Sequence, residues 1–328
     1  MTRHSPSRRD MLLAALTGLF AAIPARAQQS QGPGDNGIGG TGLPRRAGDG
    51  IGGTGVHGAI SGFGSIIVNG ARISYAPDAV VHADGRRLRA SALRIGHVVR
   101  VGASGSGAAL AARWIELDRI VIGPVTAVGW LSREIRVLGQ RVIPPSGGER
   151  PGVGTWIAVS GFRRADGVIE ASLIEPTEER VARVTGTLDR LADGAGLGIG
   201  GLTVDAPARR AGQRVRVSGD VENGRLVAPR IASAPGAPEG RRILVQGFAT
   251  RSGDRMVFAD GGLAVRLPGG VAWASSDAKV VVHAERGADH SWIAVTVSDS
   301  GGLGGEIGSS AARAPAGRGG AASPPGGG

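Results

Sequence analysis

One short segment, repeated along the chain, limits what this sequence can become. Gly62-Phe63-Gly64-Ser65-Ile66-Ile67-Val68-Asn69-Gly70-Ala71-Arg72-Ile73-Ser74-Tyr75 reads as two short β-strands joined by an Asn-Gly turn. Both turn residues tolerate positive φ, which a tight type I′ hairpin requires at its two central positions. The register Ile66, Val68, Gly70, Ile73 returns as Ile135, Val137, Gly139, Val142 and again as Leu197, Ile199, Gly201, Val204. A fourth copy places Phe258, Gly262 and Val265 at the same offsets as Ile66, Gly70 and Ile73, with Asp260 breaking the apolar alternation.

Two further markers follow the same rhythm. Strands led by Gly96, Gly154 and Gly212 are each 58 residues apart, and an Asp277-led strand follows 65 residues later. Each is a turn residue followed by a period-2 apolar pattern. Closing strands contain Ala112-Arg113-Trp114-Ile115, Ala171-Ser172-Leu173-Ile174, Ala228-Pro229-Arg230-Ile231 and His290-Ser291-Trp292-Ile293. The opening strands run through Ile60, Val125, Val184 and Val245. These markers divide the chain into units at 57–121, 122–180, 181–238 and 239–298, each with five or six short strands. The first unit carries the longest insert, 76–95, which includes a further strand and turn at Val80-Val81-His82-Ala83-Asp84-Gly85.

No segment sustains a helical period, because glycine interrupts every candidate. Aromatic residues are only 3% of the chain, so the cores must be built from Val, Ile, Leu and Ala. A domain of about 60 residues buries only about 60% of its unfolded surface and is marginal alone. The units are therefore expected to pack on one another, or to close as OB-like barrels that hide their edges. The expected fold is all-β: four tandem small β-barrel or OB-like units between disordered, glycine-rich ends.

The ends have their own logic. Arg8-Arg9 precede the largely apolar run Met11 to Ile23, and Ala25-Arg26-Ala27 offers an A-x-A cleavage site. This run is shorter than the roughly 20 residues a membrane span needs, so 1–27 reads as a removable signal peptide. Ser7-Arg8-Arg9-Asp10-Met11-Leu12-Leu13 resembles a twin-arginine export motif. That route and the general secretory route both lead out of the cytoplasm, to the periplasm or beyond, with no integral span left after cleavage. Residues 28–56 form a glycine-rich linker and 299–328 a Gly, Ala, Ser and Pro tail. The linker holds Gly37-Ile38-Gly39-Gly40-Thr41-Gly42 and its copy Gly50-Ile51-Gly52-Gly53-Thr54-Gly55. Neither has the flanking strand and helix that a G-x-G-x-x-G dinucleotide site uses, so both read as tether.

The stretch Gly58-Ala59-Ile60-Ser61-Gly62-Phe63-Gly64-Ser65-Ile66-Ile67-Val68-Asn69-Gly70, with its Gly-Ile-Gly-Gly-Thr-Gly leaders, resembles the signature of a bacterial family of exported proteins of unknown function. That family is built from tandem β-rich units. The resemblance is strongest in the first unit and fades as the Gly-Phe and Asn-Gly signals erode. It implies a compact β unit in an exported protein, and it brings no catalytic residue with it.

The chain has no cysteine, which excludes disulfides, thiolate metal sites and a cysteine nucleophile. Ser276-Asp277-Ala278-Lys279 spells S-x-x-K, but that motif works from a helix, and Lys279 begins a strand pattern here. No H-E-x-x-H is present; His82 and His283 follow Val-rich runs, His290 lies seven residues after His283, and each is expected to cap a strand. Asp84-Gly85, Asp166-Gly167, Asp193-Gly194 and Asp260-Gly261 read as turns. Phe63, Phe162 and Phe248 each follow a glycine and are expected to fill barrel ends. Eleven aromatic residues leave few stacking platforms for single-stranded nucleic acid. No catalytic, cofactor-binding or metal-binding residue is assigned.

The net charge is +11, and +8 without residues 1–27. Positive charge on small β units outside the cytoplasm favours anionic partners. The expected role is non-enzymatic binding of lipopolysaccharide, acidic polysaccharide, phospholipid headgroups or an envelope protein. The competing class is a periplasmic hydrolase, or another enzyme, whose site is gathered from several loops.

Overall fold

The computed structural model describes residues 53–105, 109–148, 150–191, 194, 196–222, 225–236, 238–269 and 278–300. The expected signal peptide, most of the linker and the tail beyond Ser300 lie outside these residues.

The first seven strands are β1 (Thr54–Gly62), β2 (Ile66–Val68), β3 (Ala71–Ser74), β4 (Val80–Ala83), β5 (Arg86–Arg89), β6 (Val98–Ser104) and β7 (Leu110–Leu117). The predicted hairpin forms as read: Ile66 faces Ile73 and Val68 faces Ala71. Asn69 and Gly70 both take positive φ, 54° and 78°. β3 then runs parallel to β7, β7 antiparallel to β6, and β6 back along β1. Five strands thus close in the order β1-β2-β3-β7-β6, a barrel without free edges. The 76–95 insert supplies the extra hairpin β4–β5, whose β4 lies parallel to β7 beyond the end of β3 and adds Val81 and Ala83 to the core.

The second set is β8 (Val121–Val128), β9 (Ile135–Val137), β10 (Gln140–Ile143), β11 (Trp156–Arg163) and β12 (Ile169–Pro176). It closes identically, β8-β9-β10-β12-β11 and back to β8. The third comprises β13 (Ala182–Thr187), β14 (Asp189–Arg190), β15 (Leu197–Ile199), β16 (Leu202–Val204), β17 (Arg214–Glu222) and β18 (Arg225–Ser233). Here β13, β17 and β18 form one ladder and β14–β16 a separate meander, without a β16–β18 ladder. The fourth is β19 (Arg242–Ser252), β20 (Arg255–Phe258), β21 (Ala264–Arg266), β22 (Ala278–Arg286) and β23 (Trp292–Asp299), again closed in the first barrel's order.

In this last set the partner of Val265 is Met256, two residues earlier than the sequence offset suggests. Asp260, Gly261 and Gly262 lengthen the turn, and both glycines take positive φ.

Each barrel must bend its long strands, and it does so by bulges. The closing strand of each set, β7, β12, β18 or β23, carries the extra residue, opposite strands β6, β11, β17 and β22 just after Gly102, Ser160, Ser218 and His283. These points are spaced 58, 58 and 65 residues, the same intervals as the turn residues that open those strands. Pro229, which has no N–H, falls at the third bulge, opposite the Ser218/Asp220 shift.

The cores are aliphatic, as the composition requires. Val56, Ile60, Ile66, Val68, Ile73, Val101 and Ile115 fill the first barrel, and Ile243, Met256, Val265, Val280 and Val282 the last. Each such side chain contributes about 1.5–3 kcal/mol when fully buried. The second and third sets share one core, in which Val121, Ile135 and Ile157 meet Val184, Leu197 and Val215. Their sheets are continuous through the β8–β13 ladder. The first and last barrels join in the same manner, β1 lying parallel to β19 from Thr54 opposite Arg242 to His57 opposite Val245. Helix is confined, among the described residues, to the single turns Ala90–Ala92 and Ala208–Arg210. None of them is long and apolar enough to cross a membrane.

Candidate functional site

Where the four sets of strands converge, the structure buries charge. His57 on β1, Arg100 on β6, Asp118 just after β7, Phe162 and Arg163 on β11, Arg214 on β17, Phe248 on β19 and Asp260 in the β20–β21 turn surround a cavity of about 30 Å³. That volume holds one or two water molecules.

Asp118 is the centre of the arrangement. Arg100 Nε donates to its Oδ2 at 3.0 Å and Arg214 to Oδ2 at 3.1 Å. Arg214 also reaches Asp260 Oδ2 at 3.1 Å and the Pro235 carbonyl at 2.9 Å. Arg100 donates in addition to the Gly236 carbonyl. Burial alone would raise the Asp118 carboxyl, but Arg214 and Arg100 outweigh it and hold it well below the usual carboxylate range. Arg214 is pushed upward, its two carboxylates overcoming burial, whereas burial lowers Arg100. His57 Nε2 lies 3.5 Å from Asp118 Oδ2, its ring edge-on to Phe162. Burial, then Arg100, lowers its pKa, so the ring is neutral at pH 7. Among the described residues, Arg163 has no carboxylate within hydrogen-bond reach. Its guanidinium donates to Gln140 Oε1 (2.7 Å), the Gly167 carbonyl (3.0 Å) and the Thr185 carbonyl (3.4 Å).

A second charged junction uses the first barrel's extra hairpin. Its turn residue Asp84 (φ 51°) sits among Arg119, Arg183 and Arg216 at 3.7, 3.7 and 3.8 Å. Those contacts are ion pairs without hydrogen bonds, and Asp84 Oδ2 lacks a hydrogen-bond partner. Burial raises the Asp84 carboxyl, against the pull of the three arginines. Elsewhere between barrels, His97 Nε2 meets Glu175 at 2.6 Å, and Lys279 meets Glu170 at 3.3 Å while lying over the Phe248 ring.

The expected site residues fall as follows. Ser276 and Asp277 lie outside the described residues; Lys279 is on strand β22, in ion pairing, as its sequence pattern indicated. His82 and His283 do not cap strands: they stand within β4 and β22, side chains in the period-2 pattern. Phe162 and Phe248 do not fill barrel ends. They meet Val98 between barrels, because a ring at the outer face of a small barrel finds its apolar neighbours on the next one. Phe63 is 42% exposed. The charged junction itself was not assigned from sequence. Its signal was present in Arg100 and Arg214, charges inside Val-rich strands, and in Asp260, the break in the fourth hairpin's alternation.

Chemically the central cavity is a clamp. Its carboxylates are engaged by guanidinium groups. Family models, curated proteins and solved structures were all searched, and none matches this chain.

The outer surface is charged differently from the junctions. Residues 57–121 contain eight arginines against four carboxylates, half of the +8 carried beyond residue 27. Two of those carboxylates, Asp84 and Asp118, are turned inward. Arg72, Arg86, Arg87, Arg89 and Arg113 are exposed, with no ion pair among the described residues. Three of them stand together on β5, the last strand at one end of its sheet.

Proposed function

We propose that the protein is an exported, non-enzymatic binding protein for an anionic component of the bacterial envelope. The observation that carries this reading is the arginine edge of β5: Arg86, Arg87 and Arg89, exposed and without carboxylate partners among the described residues. Guanidinium groups on both faces of this end strand, Arg87 and Arg89 on one and Arg86 on the other, suit phosphate and carboxylate groups, which each can bind bidentately. The closed ion-pair clamp between the barrels supports a structural use for the buried charge, leaving recognition to the outer face. Export rests on the twin-arginine-like leader and on the resemblance of the first unit to an exported family.

The test is a salt titration of the chain on lipopolysaccharide, acidic polysaccharide and anionic phospholipid vesicles, beside R86E/R87E/R89E. Binding should weaken steeply with salt, and the triple variant should lose at least tenfold in affinity. Elution from all three at the low salt that releases a neutral control protein would refute it.

A further inference from the structure

The β8–β9 connection displays two large apolar side chains side by side. Trp130 is 94% exposed and Leu131 96%, more than any other large hydrophobic residue among the described residues. Val128 (37%) and Val153 (68%) add apolar surface on the same barrel. A single exposed hydrophobe needs no explanation, but an adjacent Trp-Leu pair at a loop tip does. The second barrel does not need them, since its core is filled by Val125, Ile135, Val142 and Ile157.

The loop holding them is built in advance. Gly129 N–H donates to the Glu134 carbonyl at 2.8 Å, closing the turn. Arg133 donates to the Pro145 carbonyl at 3.1 Å and ties the turn to the next loop, which carries Val153. Glu134 in turn is gripped by Arg141 at 3.0 and 3.1 Å. Such a finger loses little conformational freedom when it docks.

We infer that this finger inserts Trp130 and Leu131 into the surface of an anionic phospholipid bilayer. The inference rests on the proposed binding of an anionic envelope component and names the component. Two observations favour a bilayer over a protein. The apolar element is a tip of two residues, whereas a specific protein interface needs a patch of about 800 Å² per partner. A fluid bilayer closes around a wedge, and Trp settles at its headgroup boundary. Charge is the second observation: residues 129–155 contain four arginines against two glutamates. Arg133, Arg136, Arg141 and Arg150 are all exposed there; Arg136 and Arg141 share the one carboxylate of Glu134, so positive charge is left over for anionic headgroups.

The experiment is vesicle flotation of the whole chain with phosphatidylglycerol-rich and purely phosphatidylcholine vesicles, comparing the native chain with W130A/L131A. Anionic vesicles should carry the native chain, and the double variant should bind at least tenfold more weakly with unchanged circular dichroism and melting. Lipids brominated in the upper acyl chain should quench the native fluorescence, and W130F should abolish that quenching while still binding. This second measurement stands whether or not the double variant folds. Equal vesicle binding by a folded W130A/L131A, or absence of quenching, overturns the finger while leaving the anionic reading intact. Binding to lipopolysaccharide or acidic polysaccharide without binding to vesicles has the same meaning. Binding to no anionic component overturns both.

Discussion

Asp118→Asn is the perturbation that probes the junction most directly. The substitution keeps the shape and removes the charge that faces Arg100 at 3.0 Å and Arg214 at 3.1 Å. Asp260 then remains as the carboxylate beside Arg214, and Arg100 keeps only the Gly236 carbonyl and a polar amide. Removing one member of a buried ion pair leaves an uncompensated charge and costs about 3–5 kcal/mol. In a domain of this size each kcal/mol is worth about 2–4 °C, so melting should fall by roughly 6–20 °C. Urea unfolding should show a lower midpoint at unchanged slope. Asp84→Asn is the contrast. That carboxyl is raised by burial, makes no hydrogen bond through Oδ2, and meets its arginines only at 3.7–3.8 Å. Its neutral replacement should cost less than Asp118→Asn, because Arg119, Arg183 and Arg216 are 19%, 13% and 22% exposed and water can take up part of their charge. If Asp118→Asn costs no more than Asp84→Asn, the clamp does not hold the barrels together and the reasoning fails.

His57 and the turn glycines give two further expectations. Because the folded His57 pKa lies below the ordinary 6.5, the unfolded chain takes up its proton first. Its contribution to stability is therefore complete above about pH 6.5 and is lost as pH falls toward the folded value. Chemical denaturation at pH 7.5 and 5.5 should show that loss, and His57→Gln should flatten it; an unaltered slope would count against it. Gly201 touches the Gly139 carbonyl where the second and third hairpin turns meet, and a Cβ there would collide with that backbone oxygen. Gly201→Ala should cost about 1–3 kcal/mol in urea unfolding. An unchanged midpoint would mean the two turns do not press on each other.

The repeated hairpin was legible because its chemistry is local: Asn69-Gly70 specifies positive φ, and the alternation of Ile66, Val68 and Ile73 specifies the buried face. The closed strand order follows from that hairpin plus two long strands. The inter-barrel contacts were not legible, since nothing local tells Arg214 that Asp118 lies 96 residues earlier. Asn69 illustrates the limit. The sequence explains it fully as a turn residue, yet its side chain also donates to the His57 carbonyl at 2.9 Å and the Leu244 carbonyl at 3.3 Å, binding the first barrel to the last. The third set shows the opposite failure. Its markers keep their spacing, but with short β15 and β16 and no β16–β18 ladder it leans on its neighbour's core.

The parallel seam between Thr54–His57 and Arg242–Val245 has a temporal meaning. During synthesis, the opening segment of β1 emerges from the ribosome almost two hundred residues before the strand that will cover its outer side. Until then those amides and carbonyls form a bare margin, open to pairing with a neighbouring chain. Completion is therefore gated by the last barrel, and truncations within it should yield aggregates instead of a smaller soluble fragment.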